Sequence, residues 1–176
     1  MIHIHPDDCD EQRASYGCKV LGSYIGSSEF VENSLNKKIE ELDAECKALC
    51  NFSNMQGKFL MLKWSFCQKA NFILRTTPPS QTTAFCTAFE KLKKDVLSSI
   101  LNFTDGAVPP QVWAQAVLNV SDGGLGLQNT PHVALGAYAA SVVECRRFVN
   151  KICHEFIVDL EFIHFRISTR SHWRTA

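Results

Sequence analysis

Apolar residues return at spacings of three and four through Val31, Leu35, Ile39 or Lys38, Leu42, Cys46 and Leu49, which predicts an amphipathic helix from Glu29 to Cys50. Ser27 or Ser28 can cap it, with Glu29 and Glu32 in the first turn, and the opposite face carries Glu40, Glu41, Asp43, Glu45 and Lys47. A second helix opens at Asn54 and runs to about Leu74, with Phe59, Leu62, Phe66, Ala70 and Ile73 along one side. Leu60, Cys67 and Leu74 widen that stripe, which places this helix near the middle of the core. The segment Arg75 to Pro79 stops it, because proline lacks an amide and disfavours helix at the residue before it.

Three further helices follow. One opens at Ser80 with Ala84, Phe85, Ala88, Phe89, Leu92, Val96, Ile100 and Leu101 on its apolar side. After a loop from Asn102 to Pro110, a short helix from Gln111 to Leu118 carries Val112, Trp113, Ala116 and Val117. The last runs from Pro131 towards Lys151, capped at Thr130, through the small or apolar Val133, Ala137, Tyr138, Ala140, Ser141 and Val143. Ahead of all of them, GCKVLGSYIG from Gly17 to Gly26 places β-favouring residues on each side of Gly22 and suits a short hairpin or bent strand. The expected fold is mainly α: a bundle of about five helices behind a short N-terminal β-hairpin or extended segment, in one domain over residues 17–151.

The two ends read differently. Residues 1–16 hold Asp7, Asp8, Asp10 and Glu11 against Arg13 without periodicity, and are expected to be poorly ordered. Residues 152–176 form an irregular tail in which Val158, Leu160 and Phe162 alternate with Asp159 and Glu161 like a strand. No run approaches the roughly 20 apolar residues of a membrane helix, so the chain is expected to be intracellular, cytoplasmic or nuclear, with no membrane partner.

Lys and Arg number 18 and Asp and Glu also 18, so no overall field draws the chain to nucleic acid. The layout is uneven, however. Residues 27–51 carry three Lys against six acids, whereas residues 52–79 carry Lys58, Lys63, Lys69 and Arg75 and no acid. Lys58 and Lys69 are eleven residues apart, nearly the same face of one helix, and such a strip could meet a phosphate backbone. The plainer reading is the solvated side of a buried helix. Arg146, Arg147 and Lys151 form a second basic cluster of equally open meaning.

Candidate chemistry is sparse. Eight cysteines, at 9, 18, 46, 50, 67, 86, 145 and 153, fall mostly on apolar helix faces and read as reduced, buried residues. Cys46 with Cys50, joined by Cys153 and His154, lacks the close pairing of a zinc site, and His3 with His5 is an isolated pair. The glycines of Asp122 to Leu127 could cradle a phosphate, but no Lys-Ser or Lys-Thr follows and no strand clearly precedes. A structural turn with Leu125 and Leu127 plugged into the core is the favoured reading. No nucleophile elbow, HExxH or strand ending in paired aspartates is present; Asp7-Asp8 reads as surface charge, and His132 and His154 as capping or packing residues. No catalytic residue, metal site or cofactor is expected.

Three ordered stretches, GCKVLGSYIGSSEFV (17–31), ILRTTPP (73–79) and DGGLGLQN (122–129), resemble the region after the catalytic palm in reverse transcriptases of non-long-terminal-repeat-like retrotransposons. The resemblance spans roughly Gly17 to Cys145. It implies that Val20, Leu21 and Gly22 lie in a primer-grip hairpin and that Glu29 to Leu74 supplies thumb helices that follow a primer–template duplex. With the basic residues Lys58, Lys69 and Arg75, these form the candidate nucleic-acid-binding set. Fingers and palm aspartates have no counterpart, so the resemblance implies a truncated polymerase fragment, inactive alone, whose exposed apolar surface favours self-association. The competing expectation is a helical protein-interaction module with no nucleic-acid role.

Overall fold

The computed structural model describes residues 16–103 and 107–152. Expectations for residues 1–15 and 153–176, including His3, His5, the Asp7-Asp8 pair, Cys153, His154 and the strand-like alternation from Val158 to Phe162, lie outside the described residues.

The chain is mainly α, a helical bundle with an N-terminal hairpin. Strands β1 (Gly17–Val20) and β2 (Ser23–Gly26) pair antiparallel, Val20 opposite Ser23 and Gly17 opposite Gly26, around a turn at Leu21-Gly22. Helix α1 (Ser28–Cys50) follows at once, capped by Ser27, whose Oγ accepts from the Phe30 amide at 3.2 Å. Val31, Leu35, Leu42, Cys46 and Leu49 are buried, the face that the spacing predicts.

The second expected helix is three pieces. Helix α2 (Met55–Trp64), capped by Asn54 Oδ1 on the Gly57 amide at 2.7 Å, ends at Ser65. A 3-10 segment, Phe66–Ala70, then leads into α3 (Asn71–Thr76). Tertiary packing accompanies the break: the tighter turn brings Phe66, Cys67 and Ala70 inward, and the Phe66 ring stacks on Phe89 at 5.3 Å. Of the residues expected to widen the stripe, Cys67 and Leu74 are buried and Leu60, on α2, is exposed.

Helix α4 (Pro79–Leu101) packs most extensively against α1 and also against the last helix. Its buried face holds the expected Phe85, Phe89, Leu92 and Val96 and is wider than the spacing implies: Leu97 and the charged Glu90 and Lys93 are also buried, while Ala84 and Leu101 are exposed. Helix α5 (Pro110–Ala116) buries Trp113 and Ala116. The final helix, α6 (Thr130–Ile152), is started by Asn129, whose Oδ1 accepts from the His132 amide, rather than by a Thr130 cap.

Thr130 has another task. Lys93, with no exposed surface, donates to the Gln128 carbonyl and to Thr130 Oγ1 at 2.7 Å, and its ammonium lies 2.6 Å from Glu90 Oε2. Glu90 in turn accepts from Trp113 Nε1 at 3.0 Å and from the Thr130 amide at 3.2 Å. Both charges therefore have several hydrogen-bond partners, the condition under which a buried pair is tolerated. Four elements meet here: α4, α5, the glycine loop and the start of α6. The buried cysteines are inert by comparison. Burial, followed by the neighbouring Cys50 thiol, pushes Cys46 up to about 12, and burial also raises Cys67 and Cys86.

Lys93→Met alone strands the Glu90 carboxylate in the core and is expected to cost about 3–5 kcal/mol by denaturant titration, whereas Lys93→Met with Glu90→Gln recovers much of the loss. Additive losses in the double variant would show that the two charges do not act as a unit. Asp95 supplies a pH test. Partial burial raises its carboxyl, the Lys91 charge opposing and Asp43 adding to the rise. A folded value above the unfolded one is a stability contribution present at low pH and lost as pH rises through the carboxylate range. Asp95→Asn is therefore expected to raise the melting temperature at pH 7, and to leave it unchanged below the normal carboxylate range.

Candidate functional site

The hairpin is the element that the resemblance singles out, and its geometry begins with one strained residue. Leu21 takes φ 50° and Gly22 φ 92°, so both turn positions are left-handed. That is the backbone of a two-residue turn matched to strand twist, for which asparagine and glycine are the usual occupants. Glycine fits the second position freely; leucine at the first costs on the order of 1 kcal/mol. Leu21 is also 94% exposed, so burial returns none of that cost.

The tip is anchored. A Cβ at Gly22 would lie 3.3 Å from the Phe72 ring, so the turn rests on α3. Phe72 is itself half-exposed, and Arg75, three residues on and therefore neighbouring it on the helix, is exposed. On the hairpin, Val20 is exposed and Lys19 lies over the Tyr24 ring at 5.6 Å from its centroid. An apolar tip, an aromatic face and cations thus occupy neighbouring surface.

The proposed strip of Lys58 and Lys69 does not survive folding. Lys58 is only 6% exposed and its Nζ donates to the Cys50 carbonyl and to Ser99 Oγ, both at 2.8 Å. It is a cation set on the C-terminal carbonyls of α1, where the helix dipole favours it, and it is not available to a phosphate. Lys69 remains at the surface but is paired with Glu45 at 2.7 Å. Their eleven-residue spacing assumed one straight helix, and the break at Ser65 removes that premise. Lys63, the remaining lysine of that segment, donates to the Leu125 carbonyl at 2.9 Å. Of the candidate set, Val20, Leu21 and Gly22 lie at the hairpin tip that rests on Phe72, Arg75 is exposed three residues further along α3, Lys58 is withdrawn into the fold and Lys69 is ion-paired.

The glycine loop is a turn with its amides occupied. The backbone N–H groups of Gly123, Gly124, Leu125, Gly126 and Leu127 all donate to carbonyls of residues 116–120. None is left to cradle a phosphate. A Cβ at Gly124 would sit 2.1 Å from the Leu118 oxygen, which requires glycine there, and Gly123 and Gly126 have φ of 79° and 66°. Leu127 is buried as expected; Leu125 is half-exposed and serves through its carbonyl.

Two apolar features lay outside the expected site. A cleft of about 400 Å³ between α1 and α2 is lined by Leu49, Phe52, Met61 and Phe66, with the Glu45–Lys69 pair at its edge. Nearby on α2, Trp64 is 69% exposed. The sequence signal for it was the apolar excess of the second helix, read there as a wider buried stripe. Among the described residues no three His, Cys, Asp or Glu side chains are grouped to hold a metal ion, and no helix is long and apolar enough to cross a membrane. Comparison of the chain with protein-family models, with curated proteins and with solved structures finds no match.

Proposed function

We propose that the chain is a retroelement-derived fragment of an RNA-directed DNA polymerase, the primer-grip and thumb portion, which contacts a primer–template duplex and does not synthesise DNA by itself. The observation that carries this reading is Leu21: an exposed leucine kept in a left-handed turn position where a polar residue would be more stable. Local strain without a packing return is the mark of a residue kept for contact with something else. Phe72 offers a face on which a base or sugar can stack, and Arg75 a guanidinium for the adjacent phosphate. On this reading the chain acts inside the cell, in the cytoplasm or nucleus.

A second reading, a helical protein-interaction module, draws on the cleft between α1 and α2 and on exposed Trp64. The two differ in salt dependence, since phosphate contacts release counterions and apolar docking does not.

Leu21→Asn separates structure from function at one position. It is expected to stabilise the hairpin by about 1 kcal/mol and yet weaken binding to a primer–template duplex. Arg75→Glu is expected to lower that affinity about tenfold and to reduce the slope of log affinity against log salt by about one. Equal binding by both variants and the parent, or binding indifferent to salt, favours the interaction module. Magnesium-dependent primer extension by the chain alone would contradict the proposal that it makes no DNA.

A further inference from the structure

The hairpin has an inner and an outer face, and its register assigns every residue to one of them. Gly17 lies under the Phe30 ring of α1, where a Cβ would come within 2.1 Å of Cδ1, so Gly17, Lys19, Tyr24 and Gly26 share the face turned to the helix. Tyr16, Cys18, Val20 and Ile25 share the other. All four are exposed, and Cys18 is a free thiol.

The backbone has a second asymmetry. A two-residue turn makes Val20–Ser23 a hydrogen-bonded pair, and alternation makes Cys18–Ile25 the next. The ladder continues to the Ser27 amide, which donates to the Tyr16 carbonyl at 2.8 Å. The amides and carbonyls of Gly17 and Lys19 therefore point away from β2. Since β2 carries most of the packing onto α1 and α3, β1 is the outer strand, and among the described residues nothing pairs with its free edge.

We propose that this edge pairs antiparallel with β1 of a second copy, about a two-fold axis through Cys18. The strand is self-complementary in that register. Gly17 of each copy faces Lys19 of the other as a hydrogen-bonded pair, using the outward amides and carbonyls of both. Cys18 faces Cys18 as a non-hydrogen-bonded pair, and Tyr16 faces Val20, an aromatic and a β-branched side chain on the same outer face. Each Lys19 is opposite a glycine, so no like charges meet. Centring instead on Lys19 opposes two ammonium groups, and a one-residue slip sets inward-pointing groups against outward-pointing ones; centring on Cys18 uses the outward groups of both Gly17 and Lys19. The product is a four-stranded sheet in the order β2, β1, β1, β2. Five paired residues per strand bury far less than the roughly 1,600 Å² of a standard stable interface, so the dimer is weak and concentration-dependent. This inference is independent of the nucleic-acid reading.

Sedimentation equilibrium of the full chain over a series reaching tens of micromolar, with reductant present, tests it. The expected result is a monomer–dimer equilibrium weakened at least about tenfold by Lys19→Pro, which removes an outward amide, along with the Lys19 contact over Tyr24 within its own hairpin, and is tolerated on an edge strand. Circular dichroism and the melting temperature of that variant report whether the fold is kept. Cys18→Lys and Cys18→Glu, each changing only an exposed side chain, are expected to be monomeric alone and to form a heterodimer when mixed. In a non-hydrogen-bonded pair the Cα atoms lie about 4.5 Å apart, within disulfide range, so mild oxidation of the parent with diamide should yield a Cys18–Cys18 linked peptide by mass spectrometry. A monomer throughout the series overturns the proposal. So does a dimer that is indifferent to both the Lys19 and the Cys18 variants, which would place the contact elsewhere, on the Trp64 face for example.

Discussion

The buried Glu90–Lys93 pair is the constraint on which the rest of the bundle depends. A lysine with no exposed surface is tolerable only if its ammonium is met on several sides, and here the partners come from different parts of the chain: a carboxylate on its own helix, the Gln128 carbonyl and the Thr130 hydroxyl. The glycine loop cannot adopt another path without abandoning that ammonium, and α6 cannot start elsewhere without losing the Thr130 amide from Glu90. Trp113 brings α5 into the same arrangement through its indole N–H. Hydrophobic contact alone would let these short segments slide; directional bonds to buried charges specify one position.

Lysines perform this joining repeatedly. Lys58 ties α2 to the end of α1 and to Ser99 of α4, and Lys63 ties α2 to the glycine loop. Each places a cation on backbone carbonyls that a helix end or a loop leaves without partners. Of the basic residues in 52–79, Lys58 is therefore spent inside the fold and Lys63 is tied to a loop carbonyl. What remains outward is Arg75 and the hairpin tip, together with the ion-paired Lys69, and this is why the candidate surface is smaller and more apolar than charge counting implies.

The hairpin shows the opposite economy. Its inner face is closely fitted, glycine against Phe30 and Phe72, whereas its outer face and its turn expose Tyr16, Val20, Leu21 and Ile25. A stable isolated domain would favour polar residues at these positions. Strain at Leu21 and a β1 edge that nothing among the described residues pairs with are two independent observations behind the contacts proposed for this end of the molecule.

Periodicity alone located α1, α4, α5 and α6 to within a few residues, because an amphipathic helix must bury one stripe and three- or four-residue spacing records which. Residue type rather than periodicity pointed to a short hairpin or bent strand at 17–26 and to the turn nature of the glycine loop, since both depend on local backbone rules. The break in the second helix escaped it: Ser65 is no helix breaker by type, and the kink goes with the stacking of Phe66 on Phe89, a residue of α4. The roles of Lys58 and Lys93 escaped it for the same reason. A lysine in sequence reads as a solvated charge, and only the approach of distant carbonyls and a carboxylate makes burial affordable. Glu90 and Lys93, three apart amid Phe89, Leu92 and Val96, were a faint signal of charge inside an apolar stripe. Local order was thus written in the chain by side-chain spacing; which charges face solvent was decided by tertiary contact, because desolvation depends on neighbours that sequence distance does not reveal.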